Sequence, residues 1–153
     1  MKQTALRTAL FVLTLLVTMS CAKSPRCSGD DSNKGIIESE VLIGCEPAVT
    51  EDGYLITNQR EYEALFDTAG QLFPCSLPEI DFSKHSVLGL QTSGQCQTKT
   101  IHEVEKVEKD KKYHYCCVMK SCGTCKSLVI SFNWVLVPKL PDGWTVTFEK
   151  KEK

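Results

Sequence analysis

Leu128-Val129-Ile130-Ser131-Phe132-Asn133-Trp134-Val135-Leu136-Val137 is the stretch whose reading decides the fold class. Leu128, Ile130, Phe132, Trp134 and Leu136 share one side of an extended chain and form the longest period-two apolar face in the sequence. Val129, Ser131, Asn133, Val135 and Val137 make a mixed opposite face. β-Branched and aromatic residues dominate, as a strand on a half-buried surface requires. Downstream, Pro138-Lys139-Leu140-Pro141-Asp142-Gly143 turns the chain, and Trp144, Val146 and Phe148 supply a further inward face. Upstream, Tyr113, Tyr115, Cys117 and Met119 alternate with His114, Cys116 and Val118. Residues 113–119 and 127–137 therefore read as the two arms of a hairpin around Cys122-Gly123-Thr124-Cys125.

Further outward, Lys109-Asp110-Lys111-Lys112 reads as a turn, and the polar stretch 97–108 as an exposed or edge strand. Val87-Leu88-Gly89-Leu90 and Tyr54-Leu55-Ile56-Thr57 are short strands, and Ile36-Ile37 with Val41-Leu42-Ile43 suggest an opening one ending at Gly44-Cys45. Between them lies one helix. Asn58 can cap it with Glu61 as capping-box partner, Tyr62, Leu65, Phe66 and Ala69 form its apolar stripe, and Gly70 can end it. A succession of strands with one early helix predicts an α+β domain over residues 36–150, a mainly antiparallel β-sheet with one helix packed on it. The alternating order of a dinucleotide-binding fold is absent, and no internal repeat is present.

The chain has 153 residues, 18 basic against 19 acidic, and nine cysteines. Near-neutral charge excludes a surface built to grip nucleic acid. Lys2 and Arg7 precede the apolar run Ala9–Val17, too short to span a bilayer, and small residues end it at Ser20-Cys21-Ala22. That layout predicts a signal peptide over residues 1–21. Cleavage after Ala22 is one option. The other resembles bacterial lipoprotein processing, with Cys21 carrying lipid after Val17-Thr18-Met19-Ser20, although Thr18 stands where leucine is usual. Residues 22–35 are small, polar and turn-rich and read as a flexible tether.

Removing Lys2 and Arg7 leaves 16 basic against 19 acidic residues, a net charge of −3. Eight cysteines remain as bridge candidates in an oxidising compartment: Cys27, Cys45, Cys75, Cys96, Cys116, Cys117, Cys122 and Cys125. Adjacent residues on a strand point to opposite faces, so Cys116 and Cys117 need different partners. The pairings expected are Cys75 with Cys96, and one of Cys116/Cys117 with Cys122 or Cys125. The competing readings of the cluster are a zinc site that includes His114 and a redox pair Cys122/Cys125. A redox C-x-x-C normally opens a helix, however, and here it lies between strands. His85, His102 and His114 fall on or beside strands without obvious partners, and His102 reads as a surface residue. Trp134 and Trp144 lie on apolar faces and read as core, and the mixed-sign charges of 103–112 as a solvated face. No nucleophile elbow, P-loop or H-E-x-x-H motif occurs, and no catalytic residue or cofactor is implied.

The segments Tyr54–Phe66, Pro78–Gly89, Ser93-Gly94-Gln95-Cys96 and Trp134–Pro141 resemble, in that order, small bacterial lipoproteins related to the PrcB C-terminal domain. The similarity covers about residues 54 to 148 and departs from it at Ser93-Gly94-Gln95, where the family tends to have paired glycines. The resemblance implies a non-catalytic accessory module that associates with a surface protease. The expectation is an exported, lipid-anchored protein of the bacterial envelope that binds another protein. Its alternative is an extracytoplasmic thiol/disulfide or metal-binding protein centred on Cys122 and Cys125.

Overall fold

A computed structural model describes residues 32–66, 75–95, 97–122 and 127–153. In chain order the strands are β1 (Lys34–Gly35), β2 (Ser39–Glu40), β3 (Tyr54–Ile56), β4 (His85–Gln95), β5 (Gln97–Val107), β6 (Lys112–Cys122), β7 (Leu128–Pro138) and β8 (Thr145–Glu152). Helix α1 (Gln59–Leu65) follows β3, and a 3-10 turn at Glu108–Asp110 follows β5. The described domain is thus mostly β with one helix. It forms two sheets, in the orders β1-β5-β6-β8 and β2-β7-β4-β3.

The two sheets come from one ribbon. β5 and β6 pair antiparallel from Val107↔Lys112 to Gln97↔Cys122, and β4 and β7 from Gln95↔Leu128 to His85↔Pro138. Between those ladders one strand spends a single residue, 96, and the other spends five, 123–127. The ribbon creases there, and its halves join different sheets. Its tip turns through Lys111, a left-handed residue with φ 48°. The hairpin expected between 113–119 and 127–137 is therefore corrected: β6 pairs with β5 and β8, and β7 with β4 and β2. β4, β6 and β7 carry apolar residues on both faces, so a flat ribbon would leave one face in water. Creasing it buries Leu88, Leu90, Val135 and Val137 of the second sheet against Val104, Tyr113, Tyr115 and Cys117 of the first.

Pairing is mixed. β2–β7, β3–β4, β4–β7 and β5–β6 are antiparallel, whereas β1–β5 and β6–β8 are parallel. The parallel pairs arise because the chain changes sheet. After β7 it crosses to the first sheet, and Thr145 N–H donates to Lys111 O at 3.1 Å beside the start of β6.

Helix α1 covers the outer face of the second sheet. Glu61 N–H donates to Asn58 Oδ1 at 3.0 Å, the expected cap. The Glu61 carboxylate reaches one residue further back than a capping box and accepts from Thr57 N–H at 2.9 Å. That hydrogen bond leads the causes that hold its pKa below the usual carboxylate value. Tyr62 and Phe66 bury against Tyr54, Ile56, Val87 and Trp134. Ala69 and Gly70 lie outside the described residues. Gly89, paired with Trp134, makes room for the indole, since a Cβ there would enter its ring.

Residues 33–41 strap the two sheets together. Ile36 N–H donates to Val104 O at 3.0 Å, and Glu38 and Val41 N–H donate to Leu136 O and Trp134 O, both at 2.9 Å. Lys34 and Gly35, expected in the tether, instead form β1. Gly35 adopts φ 84°, and a Cβ on it would collide with the Val104 carbonyl, so only glycine lets the chain approach this closely. The signal stretch 1–21 and residues 22–31 of the tether lie outside the described residues.

Candidate functional site

Two places carry polar or apolar groups that the fold itself leaves unexplained. The first is interior. β5 turns His102 into the space between the sheets, where its Nδ1 lies 3.1 Å from Tyr115 Oη and 3.7 Å from Cys117 Sγ. Its Nε2 lies 3.7 Å from Glu40 Oε1 on the strap, and Asn33 Oδ1 accepts from His102 N–H at 3.2 Å. The expected surface histidine is thus a buried one, because the strap covers a strand that its own polar sequence marks as exposed.

A thiol, an imidazole and a carboxylate in series suggest a nucleophile, yet their surroundings disarm them. Burial pushes the Cys117 thiol up to about 12, so it stays protonated near neutral pH. Burial also lowers the His102 pKa, with Glu40 opposing, and desolvation raises that of Tyr115. Tyr115 Oη donates instead to Asn133 O at 3.2 Å. The cluster is a satisfied polar core that ties strap to ribbon.

The cysteines distribute differently from expectation. Cys75 bonds to Cys45, not to Cys96. Both Cys45 and Cys75 pack on the helix side of the second sheet, and Cys96 lies outside the described residues. Cys116 and Cys117 are both buried free thiols, which overturns the bridge from one of them to Cys122 or Cys125. They do point to opposite faces: Cys117 joins the intersheet core and Cys116 the outer trio with Ile101 and Val118. Burial raises the Cys116 pKa, with Lys151 opposing. Cys122 is disulfide-bonded, and the cysteine it joins is outside the described residues, as are Cys21, Cys27, Cys96 and Cys125. Among the described residues no group of three or more His, Cys, Asp or Glu is placed to hold a metal. His114 is engaged by Thr147 Oγ1 at 2.9 Å and Glu149 Oε2 at 3.0 Å.

The second place is the edge of β7. Val41 N–H donates to Trp134 O, so the even-numbered residues of β7 direct their backbone groups away from β4. β2 pairs only with Val135 and Leu136. No described strand covers the same edge at Leu128, Ile130 and Phe132. Leu128 is 67% exposed, Ile130 55% and Val129 40%, three consecutive aliphatic side chains facing water. Leu128 and Ile130 also border an open recess of about 510 Å³ shared with Thr92 and Met119.

The other long edges carry the charges that discourage strand addition. β8 carries Glu149, Lys150, Lys151 and Glu152, and the outer side of β5 beyond β1 has Lys99, Glu105 and Lys106. β3 is three residues long. Residues 128–132 carry no charge and no proline.

Comparison with protein families, with curated proteins and with solved structures finds no match for this chain. No described helix is long and apolar enough to cross a membrane. The sequence shows the apolar face of 128–137, but the open edge depends on which strands flank β7. His102 was missed because its burial comes from Asn33 and Glu40, more than sixty residues away. The even spacing of His102 and Val104, with Val104 apolar, was the one available signal.

Proposed function

We propose that this chain is a non-catalytic protein-binding module of the bacterial envelope, exported and held at a membrane by lipid on Cys21. The uncharged edge Leu128–Phe132, which no strand among the described residues pairs, carries this reading. An exposed strand edge offers a row of backbone donors and acceptors, and the exposed side chains beside it supply apolar contact. Export is supported by the layout of residues 1–21 and by the Cys45–Cys75 disulfide. The protease-accessory role rests on the PrcB resemblance alone. The alternative, thiol/disulfide or metal chemistry at Cys122 and Cys125, has less support, since Cys122 is already bridged and the thiols of Cys116 and Cys117 are buried with raised pKa values.

The test uses the lipid-free chain from Ala22 to Lys153, which contains every described element. It is presented to envelope extracts beside its Ile130→Lys variant. Partners captured by the first and lost by the second support the reading. Equal capture by both removes the edge from it.

A further inference from the structure

We propose that a second copy of this chain occupies the open edge, β7 pairing antiparallel with the β7 of its partner about a two-fold axis at Ile130. The two second sheets then join into one continuous eight-stranded sheet. This rests on the reading of Leu128–Phe132 as a binding edge and names its occupant.

The geometry is self-complementary. A two-fold at Ile130 sets Ile130 opposite its own copy and Leu128 opposite the partner's Phe132. All three residues direct N–H and C=O outward, so about six hydrogen bonds close the seam. Leu128, Ile130 and Phe132 share one side of β7, and the pairing places each against an apolar counterpart across the axis. The lengths also match. β7 begins at Leu128, opposite the partner's Phe132, two residues short of the partner's Trp134, where that chain's own Val41 is seated. The described part of the incoming strand therefore stops short of β2.

Charge points the same way. Ser127 through Pro138 carry no ionisable side chain, so the seam opposes no like charges. A self-pairing of β8 would crowd Lys150 and Lys151 of two chains together. The seam is short, and tethering to a membrane through Cys21 would raise the local concentration that favours it.

The experiment measures the mass of the lipid-free 22–153 chain by analytical ultracentrifugation across a wide concentration range. A reversible shift from one chain to two is expected. Ile130→Lys sets two ammonium groups on the axis and should weaken the dimer by about tenfold or more. Ile130→Pro should do the same by removing an outward N–H while leaving the β4 ladder intact. Both variants should keep the wild-type circular dichroism and unfolding midpoint, and Val49→Lys, at an exposed position in the loop before β3, should keep the dimer. A chain that stays single up to millimolar concentration overturns the proposal. A dimer indifferent to both Ile130 variants overturns it as well. If the chain is monomeric but captures an envelope partner that Ile130→Lys releases, the second copy is wrong and the binding edge stands. If both signals are missing, the reading of the edge fails with it.

Discussion

β7 is one strand with two fates. From Asn133 to Val137 it is covered on both faces and, at Val135 and Leu136, paired along both edges. From Leu128 to Phe132 it keeps the β4 ladder but loses the covering edge, and its first three side chains stand in water. Composition does not separate the halves, since both are rich in Leu, Ile, Val and aromatic residues. Placement does. The strap reaches Trp134 through Val41 and goes no further, and helix α1 packs on Trp134. The same kind of residue that is buried in one half is left exposed in the other.

The sharpest way to break this comparison is in the covered half. Trp134→Ala removes the ring that Tyr54 and Phe66 pack on at 5.1 and 5.2 Å, and should cost about 3–5 kcal/mol by urea unfolding. A smaller loss is expected at Gly89→Ala. The new Cβ would enter the Trp134 ring, costing about 1–3 kcal/mol, and Trp134→Leu in the same chain should recover part of it. Asn58→Ala probes the helix that covers this half. Losing the cap on Glu61 N–H should cost about 1 kcal/mol, read as a lower melting temperature. The smallest effect belongs to the open half. Ile130→Lys should change stability by no more than about 0.5 kcal/mol despite replacing an aliphatic residue in a long strand. A loss at Ile130 comparable to that at Trp134 would erase the distinction between the halves.

Much of the fold was legible in the residues. Period-two faces located β6 to β8, Asn58 and Glu61 marked the start of α1, and strand parity separated Cys116 from Cys117. The apolar run Val87–Leu90 marked only the middle of β4, which continues through the turn expected at Thr92–Gly94. The crease was not legible. Ser121-Cys122-Gly123-Thr124-Cys125-Lys126 has the composition of a hairpin turn, and only the registers of two ladders show that β6 and β7 part company there. The parallel pairs were hidden for a related reason, since they depend on the chain changing sheets and not on any local pattern. The Cys45–Cys75 bond joins two residues packed against the same cluster on the helix side of the second sheet, a proximity that cysteine spacing does not encode. For the candidate site, the apolar face of 128–137 was visible and its open edge was not. Faces are written in alternation, whereas edges are set by strand order.

Amide hydrogen exchange along β7 tests the central claim most directly. In dilute solution the amides of Val129, Ser131 and Asn133, which face β4, should exchange slowly, and those of Leu128, Ile130 and Phe132 rapidly. On concentrating the protein the even-numbered amides should slow while the odd-numbered ones stay as they were. Even-numbered amides that are already slow in dilute solution, or that remain fast at every concentration, would contradict an open edge that receives a second copy.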